Sequence, residues 1–272
     1  MHLQTFILSN DDNQLPEVEK LSTDFTIKYD TPIDLKPNKL YEAAFLSLET
    51  YNSIPNITEK NNIFKYSNDS GVTWKTIILP KDAYEVIQIN DEIQRQMIIN
   101  GDYDNENNTF YISISISRLS SVVEIDHLNY KVDFNVSNSI GPTLGFNREL
   151  LSKGYNKSPN IIDIMNVNSI LVNVDIITGS YVNKTRNPAI HRFSPNVGPG
   201  AKIRERPSPS LIYYPVNRLQ FDTIRVWLTD QDKKLIDLQG ERITIRIIIR
   251  KIQSIKYSIK QSLTDLKQRN IL

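Results

Sequence analysis

Hydrophobic and polar residues alternate along much of this chain, in short runs separated by turn-forming residues. The stretch GERITIRIIIRKI, residues 240–252, places an isoleucine at every second position from Ile243 to Ile249. Because successive side chains of a strand point to opposite faces, these isoleucines share one face and the arginines share the other. The pattern predicts a strand with one face buried in a core.

Similar runs predict further strands. In TFYISISIS, residues 109–117, Phe110 and three isoleucines are expected to point inward. Residues 63–80 predict a hairpin that turns at Asn68-Asp-Ser-Gly71, where Gly and Asn tolerate positive φ. The remaining predicted strands are residues 24–35, 40–51, 129–136, 168–177, 210–217 and 221–228.

One stretch, residues 84–97, has helical spacing instead. Its apolar stripe is Val86, Ile89, Ile93 and Met97. Asp82 with Glu85, or Asn90 alone, is expected to cap its start. Residues 193–210 contain four prolines and predict a long loop without regular structure.

Many strands, one helix and no regular alternation of the two predict an all-β fold. We expect an antiparallel β-sandwich, a single jelly roll with one short inserted helix and long loops. Residues 1–19 are predicted to form an N-terminal arm, residues 20–252 the jelly-roll domain, and residues 253–272 a basic C-terminal tail. In that tail Ile255, Ile259, Leu263 and Leu266 have helical spacing, which leaves open an amphipathic helix that docks on a neighbour or a frayed terminus.

Composition narrows the function classes. The 272 residues include 32 Lys and Arg against 31 Asp and Glu, so the net charge of +1 does not indicate a dedicated polyanion binder. The absence of cysteine excludes disulfides and thiolate metal sites. The start, MHLQTFILSNDD, has no basic region or cleavage site, and no apolar run is long enough to cross a bilayer, so neither a signal peptide nor a membrane segment is expected.

No stretch of the chain matches a catalytic or cofactor motif. His2, His127 and His191 lack metal-ligand spacing, which favours structural roles. DYDNEN, residues 102–107, begins like a calcium loop but lacks its glycine and its final glutamate, and GPGAK, residues 198–202, lacks phosphate-loop spacing. Both are interpreted as turns, and no enzyme, metal or cofactor is predicted. A pair of carboxylates that meets only in space stays open.

Basic and aromatic residues near the C-terminus are the candidate interface. They are Arg225, Trp227, Arg242, Arg246 and Arg250. If the strands 221–228 and 241–252 pair, Trp227 could stack with Arg242 or Arg246. A subunit or intramolecular interface, a solvated face and a nucleic-acid contact are the alternatives. Ile248 lies within the arginine row, so we expect part of the row to be covered by Trp227, a loop or another subunit.

Several phrases together resemble a known family. Residues 24–57, 64–93, 132–147, 167–183 and 226–250 are similar to the small capsid protein of Polinton/Maverick and adintovirus-like elements. The resemblance covers most of residues 20–252. Lys81-Asp82 departs from it, since a glycine is expected there before the aromatic residue that precedes the helix.

The resemblance implies a single jelly-roll penton, the minor capsid protein, which forms homopentamers at the vertices of an icosahedral shell. It implies contact with a double jelly-roll major capsid protein, a location in the virion after assembly in the host cytoplasm or nucleus, and no catalytic site, cofactor, membrane contact or specific nucleic-acid ligand. The alternative is a carbohydrate-binding jelly roll in which Trp74, Tyr213 or Tyr214 stacks on sugar rings.

Overall fold

The computed structural model of the protein describes residues 3–10, 22–37, 39–165, 167–178, 180–182, 184–207 and 209–252. All strand pairings among these residues are antiparallel. In chain order the elements are β1 (Leu3–Ser9), β2 (Asp24–Asp34), β3 (Tyr41–Tyr51), β4 (Ile63–Ser67), β5 (Lys75–Ile78), α1 (Val86–Ile99), β6 (Ile112–Ser117), β7 (Ser120–Ile125), β8 (Lys131–Asp133), β9 (Leu150–Leu151), β10 (Gly154–Lys157), β11 (Ile170–Val174), β12 (Ser180–Val182), β13 (Thr185–Asn187), β14 (Ala189–Phe193), β15 (Lys202–Glu205), β16 (Tyr213–Pro215), β17 (Gln220–Thr229) and β18 (Thr244–Lys251).

Strands from the two ends of the chain form a sandwich. Its first sheet, sheet A, has the order β1-β18-β3-β15, with β16 also paired to β3. Its second sheet, sheet B, has the order β14-β11-β17-β2. Side chains of both sheets enclose one hydrophobic core, in which the four alternate isoleucines of residues 243–249 are buried. The predicted all-β antiparallel sandwich and its inward isoleucine face are therefore confirmed.

The chain between β3 and β11 builds a second hydrophobic core. This core contains a sheet with the order β5-β4-β8-β9, a sheet with the order β10-β7-β6, and the apolar stripe of α1. We call residues 57–165 the inserted module, because they separate two strands of the sandwich. The predicted hairpin lies in it as β4 and β5, and Ser70 and Gly71 adopt φ of 64° and 94° in the turn.

Helix α1 confirms the predicted stripe, but its cap differs from the prediction. Glu85 is the N-cap and forms a reciprocal capping box with Gln88, whose side chain accepts the Glu85 backbone N–H at 2.7 Å. Asp82 instead accepts the backbone N–H of Ala83. Asn90 lies inside the helix, and its Oδ1 accepts the backbone N–H of Ile114 at 2.8 Å. Asn90 thus joins the helix to β6 and does not cap it.

Two strand predictions are wrong. Ile116 was expected to point inward, but it is 56% exposed at the end of β6, where the hairpin to β7 leaves the core. Residues 202–205 were expected to be loop, but they form β15 on the edge of β3, with Ile203 buried. The four prolines flank this segment and do not interrupt it, so its backbone groups are free to pair with β3.

Part of the predicted N-terminal arm is the strand β1 of sheet A. Residues 3–9 belong to the predicted arm, yet they pair with β18 along their whole length. The tail at residues 253–272 lies outside the described residues. The domain limits 1–19, 20–252 and 253–272 remain predictions.

Candidate interaction surfaces

The stretches that resemble ligand loops have ordinary structural partners. Asp104 accepts the backbone N–H groups of Glu106 and Asn107 at 2.9 and 3.0 Å, which closes a turn. In GPGAK, the Ala201 N–H donates to the Gly198 carbonyl at 3.2 Å, which is also a turn. Within the described ranges, no three His, Cys, Asp or Glu side chains are placed to hold a metal ion.

The two histidines in the described residues pack against aromatic rings. His191 stacks on Phe45 with ring centroids 4.2 Å apart, and its Nε2 lies 2.9 Å from Glu205. His127 packs on Tyr111 and Tyr130. The contact between His191 and Glu205 links sheet B to sheet A, so it acts structurally. In the part of the chain that is described, no helix combines the length and the apolar character needed to cross a bilayer.

The five predicted interface residues lie on two different sheets. Arg225 and Trp227 belong to β17 in sheet B, whereas Arg246 and Arg250 belong to β18 in sheet A, with Arg242 just before it. β17 pairs with β2 and β11, and β18 pairs with β1 and β3, so the pairing on which a stack of Trp227 with Arg242 or Arg246 depended does not form. The chain between them crosses from one sheet to the other, and Trp227 stacks with Arg225 of its own strand.

On the outer face of sheet B, arginine side chains are paired with aspartates of the same chain. The Arg225 guanidinium forms two hydrogen bonds to the Asp24 carboxylate, at 2.9 and 2.7 Å, and lies 4.9 Å from the Trp227 ring centroid. The bond to Asp24 raises the pKa of Arg225 above its ordinary value. Asp175 accepts the backbone N–H of Arg225 at 3.0 Å and forms an ion pair with Arg218. This face therefore presents a largely compensated set of charges.

On the outer face of sheet A, the short strand β16 covers one arginine of the β18 row. Arg250 donates to Glu42 of β3, and its guanidinium lies 3.3 Å from the ring centroid of Tyr213 on β16. Part of the row is thus covered within the chain, but by a strand and not by the expected Trp227 or loop. Ile248 is half-buried beside it, opposite Ala44, which is fully buried.

At β1, the outer face of sheet A carries exposed apolar side chains. The register places Ile7 of β1 beside the exposed Arg246, and Leu3 beside Arg250. Ile7 is 66% exposed and Leu3 48% exposed. Edge strands usually carry Lys, Pro or a bulge that prevents further pairing, but LQTFILS has none of these features. Among the described residues no strand pairs with the outer edge of β1.

A third surface is a groove between the sandwich and the inserted module. It encloses about 500 Å³ and is lined largely by apolar side chains. Ile54 and Val197 line it from segments beside the sandwich, and Val86, Ile116 and Met165 line it from the inserted module and its end. Of the described residues that line it, only Glu85 carries a charge. Such a groove suits an apolar segment of a partner chain.

Sequence reasoning did not find the groove or the open edge of β1. The described residues that line the groove come from five separate stretches of the chain, so no local pattern could indicate it. A signal for β1 did exist, because Phe6 and Leu8 alternate with Thr5 and Ile7 in its seven residues. The run is short, and periodicity does not show whether a terminal strand joins a sheet.

Comparison with solved structures first identifies the class of protein that this fold is similar to. The fold is similar to that of a viral penton protein, with strands in antiparallel sheets around a sandwich core. The particular structure is the crystal structure of the selenomethionine-labelled penton protein of mavirus, with a TM-score of 0.52 and 10% sequence identity. The match covers 93% of this chain and all of that one, and at this identity it shows a shared fold. No protein-family model matches the chain, and no curated protein sequence matches it.

Proposed function

We propose that this chain is a penton, a single jelly-roll minor capsid protein that forms homopentamers at the vertices of an icosahedral shell. The observation that carries the proposal is the shared fold with the mavirus penton protein over 93% of this chain. The resemblance of five ordered stretches between residues 24 and 250 supports the further proposal that the protein comes from a Polinton/Maverick or adintovirus-like element. It would then reside in the virion, after assembly in the host cytoplasm or nucleus.

The outer faces of the sandwich provide two different patches for ring formation. In a ring of identical subunits each contact joins one patch to a different patch of the next copy. Sheet A offers Ile7, Leu3 and Arg246, which are exposed, and sheet B offers the stacked pair of Arg225 and Trp227. Because Asp24 neutralises Arg225, a basic row can approach this face without strong repulsion. We place the five predicted interface residues, including Arg242 and Arg250, at or beside this contact.

A structural role agrees with the contacts of Asp104, which closes a turn, and of Arg225 and Arg250, which are each paired with a carboxylate. The role requires a rigid core and surfaces that meet neighbours, and it requires no cofactor. The second proposed partner is a double jelly-roll major capsid protein, which would surround the ring. Nucleic acid is not proposed as a specific ligand, because Arg225 and Arg250 are each paired with a carboxylate.

The carbohydrate-binding alternative is less well supported by the aromatic residues. Lys65 lies 4.9 Å from the ring centroid of Trp74, and Arg250 covers one face of Tyr213. Tyr214 packs against the sandwich core. A sugar ring needs an open aromatic face, and these contacts reduce the faces that are open.

The oligomer size in solution tests the proposed function. Native mass spectrometry and negative-stain microscopy should show a ring of five copies. Arg246→Glu and Ile7→Asp should each reduce the ring population, because they place a carboxylate in the proposed contact. Arg148→Glu and Leu128→Asp, which change exposed positions in the inserted module, are the matched controls and should leave the ring intact. A protein that stays monomeric at high concentration would contradict the proposal.

A further inference from the structure

The inference concerns the apolar groove and the C-terminal residues 253–272. This segment carries Lys256, Lys260, Lys267 and Arg269 against Asp265, a charge of four minus one, or +3. Its Ile255, Ile259, Leu263 and Leu266 recur at the spacing of one helical face. Anchors three or four residues apart are the pattern with which an amphipathic helix occupies a hydrophobic groove.

The groove has matching chemistry. Its cavity of about 500 Å³ is lined mainly by aliphatic side chains, and Ile116 and Met165 on its wall are 56% and 50% exposed. Of the described residues that line it, the one charged residue is the acidic Glu85. An apolar floor with one acidic residue complements an apolar stripe flanked by lysines.

The geometry of β3 separates the start of the tail from the groove of the same chain. Ile252, the last described residue, donates its N–H to the carbonyl of Leu40 at 2.8 Å, just before β3 begins. The groove is lined from Asn52 onward, just after β3 ends at Tyr51. The 11 residues of β3 place these two points about 33 Å apart.

A helical tail is too short to bridge that distance. Ile255 and Leu266, the first and last residues of the stripe, lie 3 and 14 positions after Ile252. At about 1.5 Å per residue, a helix would carry the stripe only about 5 to 21 Å from its starting point. The stripe therefore does not reach the groove of its own chain as a helix, which leaves the groove of an adjacent copy as the candidate site.

We propose that residues 253–272 of one copy form an amphipathic helix that docks in the apolar groove of a second copy, with a lysine beside Glu85. This inference rests on the proposed function, because it requires that copies assemble side by side. The exchange would connect each sandwich to the inserted module of its neighbour and would fix the direction of the contact around a ring.

Cysteine cross-linking in the full chain tests the proposal, because the protein has no native cysteine. Met165→Cys and Leu263→Cys variants are mixed and mildly oxidised, and the products are identified by peptide mass spectrometry. We expect a two-chain product that joins residues 165 and 263, at a yield at least fivefold above the control pair. The control replaces Met165→Cys with Val72→Cys, at an exposed position of the hairpin in the same module. Lys260→Glu in the Leu263→Cys chain should lower the yield severalfold.

Two results would overturn the inference. One is a yield equal to that of the control pair, as expected if another segment or another protein fills the groove. The other is a bond between residues 165 and 263 of the same chain in a Met165→Cys/Leu263→Cys double variant. Native mass spectrometry of the same samples separates the two proposals. Pentamers without the specific cross-link refute tail exchange alone, whereas the specific cross-link in dimers only supports tail exchange and contradicts the homopentamer.

Discussion

The sandwich and the inserted module differ in how far along the chain their strands must find each other. In the sandwich, β3 pairs with β18, and Ala43 lies opposite Ile249. In the inserted module, β4 pairs with β5 and β6 pairs with β7, each across a short turn. Distant pairings carry a larger loop-closure cost and form slowly, while local hairpins form early. The two hairpins of the module can therefore form before the sandwich closes, whereas the groove exists only after both the module and the sandwich have formed.

The two cores also differ in their buried charge. In the module, Asp102 is buried and accepts hydrogen bonds from Tyr66, Asn68 and Lys75, with the Lys75 ammonium 2.7 Å away. Burial, followed by the bond to Asp102, raises the pKa of Tyr66 well above its ordinary value. No other carboxylate in the described part of the chain is buried to this degree. The sandwich ion pair between Arg225 and Asp24 lies at the surface instead.

Removing one large aromatic side chain from each core gives the largest expected effect. Phe134→Ala in the module and Phe25→Ala in the sandwich should each reduce the free energy of unfolding by about 3 to 5 kcal/mol, because both rings are fully buried. Hydrogen exchange should show that Phe134→Ala first exposes amides of α1, β4 and β8, and that Phe25→Ala first exposes sheet B. Uniform loss of protection in both variants would show that the two cores unfold as one unit.

The second-largest effect is expected from breaking one ion pair in each region. Asp102→Ala should lower the free energy of unfolding by roughly 2 to 4 kcal/mol, because it leaves the buried Tyr66 hydroxyl without its acceptor and Lys75 with only the Asn100 carbonyl. Asp24→Ala removes a surface partner of Arg225 and should cost about 1 kcal/mol or less. Chemical denaturation measures both values. Equal losses in the two variants would contradict the assigned difference between a buried and an exposed pair.

The helix cap provides a smaller test that is confined to the module. Gln88→Ala removes the acceptor for the Glu85 N–H and should cost about 1 kcal/mol. Ile98→Ala, at an exposed position in the last turn, is the control and should change the free energy of unfolding by less than about 0.5 kcal/mol. The loss of exchange protection should be confined to α1 and β6. A loss that extends into sheet A would mean that α1 supports the sandwich directly.

The smallest effect is the pH response of the module hairpin. Hydrogen bonds from the Thr73 side chain and then its backbone lower the pKa of Asp69 from 3.8 to about 2. Because the folded-state pKa is depressed, this stabilisation is present above about pH 4 and is lost as pH falls through 2. Asp69→Asn should make the thermal midpoint of the protein fall less steeply between about pH 4 and pH 2. Thr73→Val should raise the pKa of Asp69 in an NMR titration, and an unchanged pKa would contradict the assigned cause.

The candidate surfaces were predicted only in part. The arginine row was placed correctly on the face opposite the isoleucines, and Ile248 correctly indicated that part of the row is covered. The partner of Trp227 was wrong, because a reversal between two strands fits a hairpin within one sheet as well as a crossing between two sheets. Nothing in residues 193–210 distinguished β15 from loop, because its pairing depends on the free edge of β3.

The sequence by itself determined the features that depend on residue type or on a few adjacent residues. These are the buried face of residues 243–249, the stripe of α1, the turn at Ser70 and Gly71, and the absence of thiol chemistry. Tertiary structure alone decided which sheet each strand joins, the edge position of β1, the separate core of the inserted module and the apolar groove. The physical reason is that side-chain alternation follows from local backbone geometry, whereas strands pair through backbone groups that every residue except proline carries in the same form.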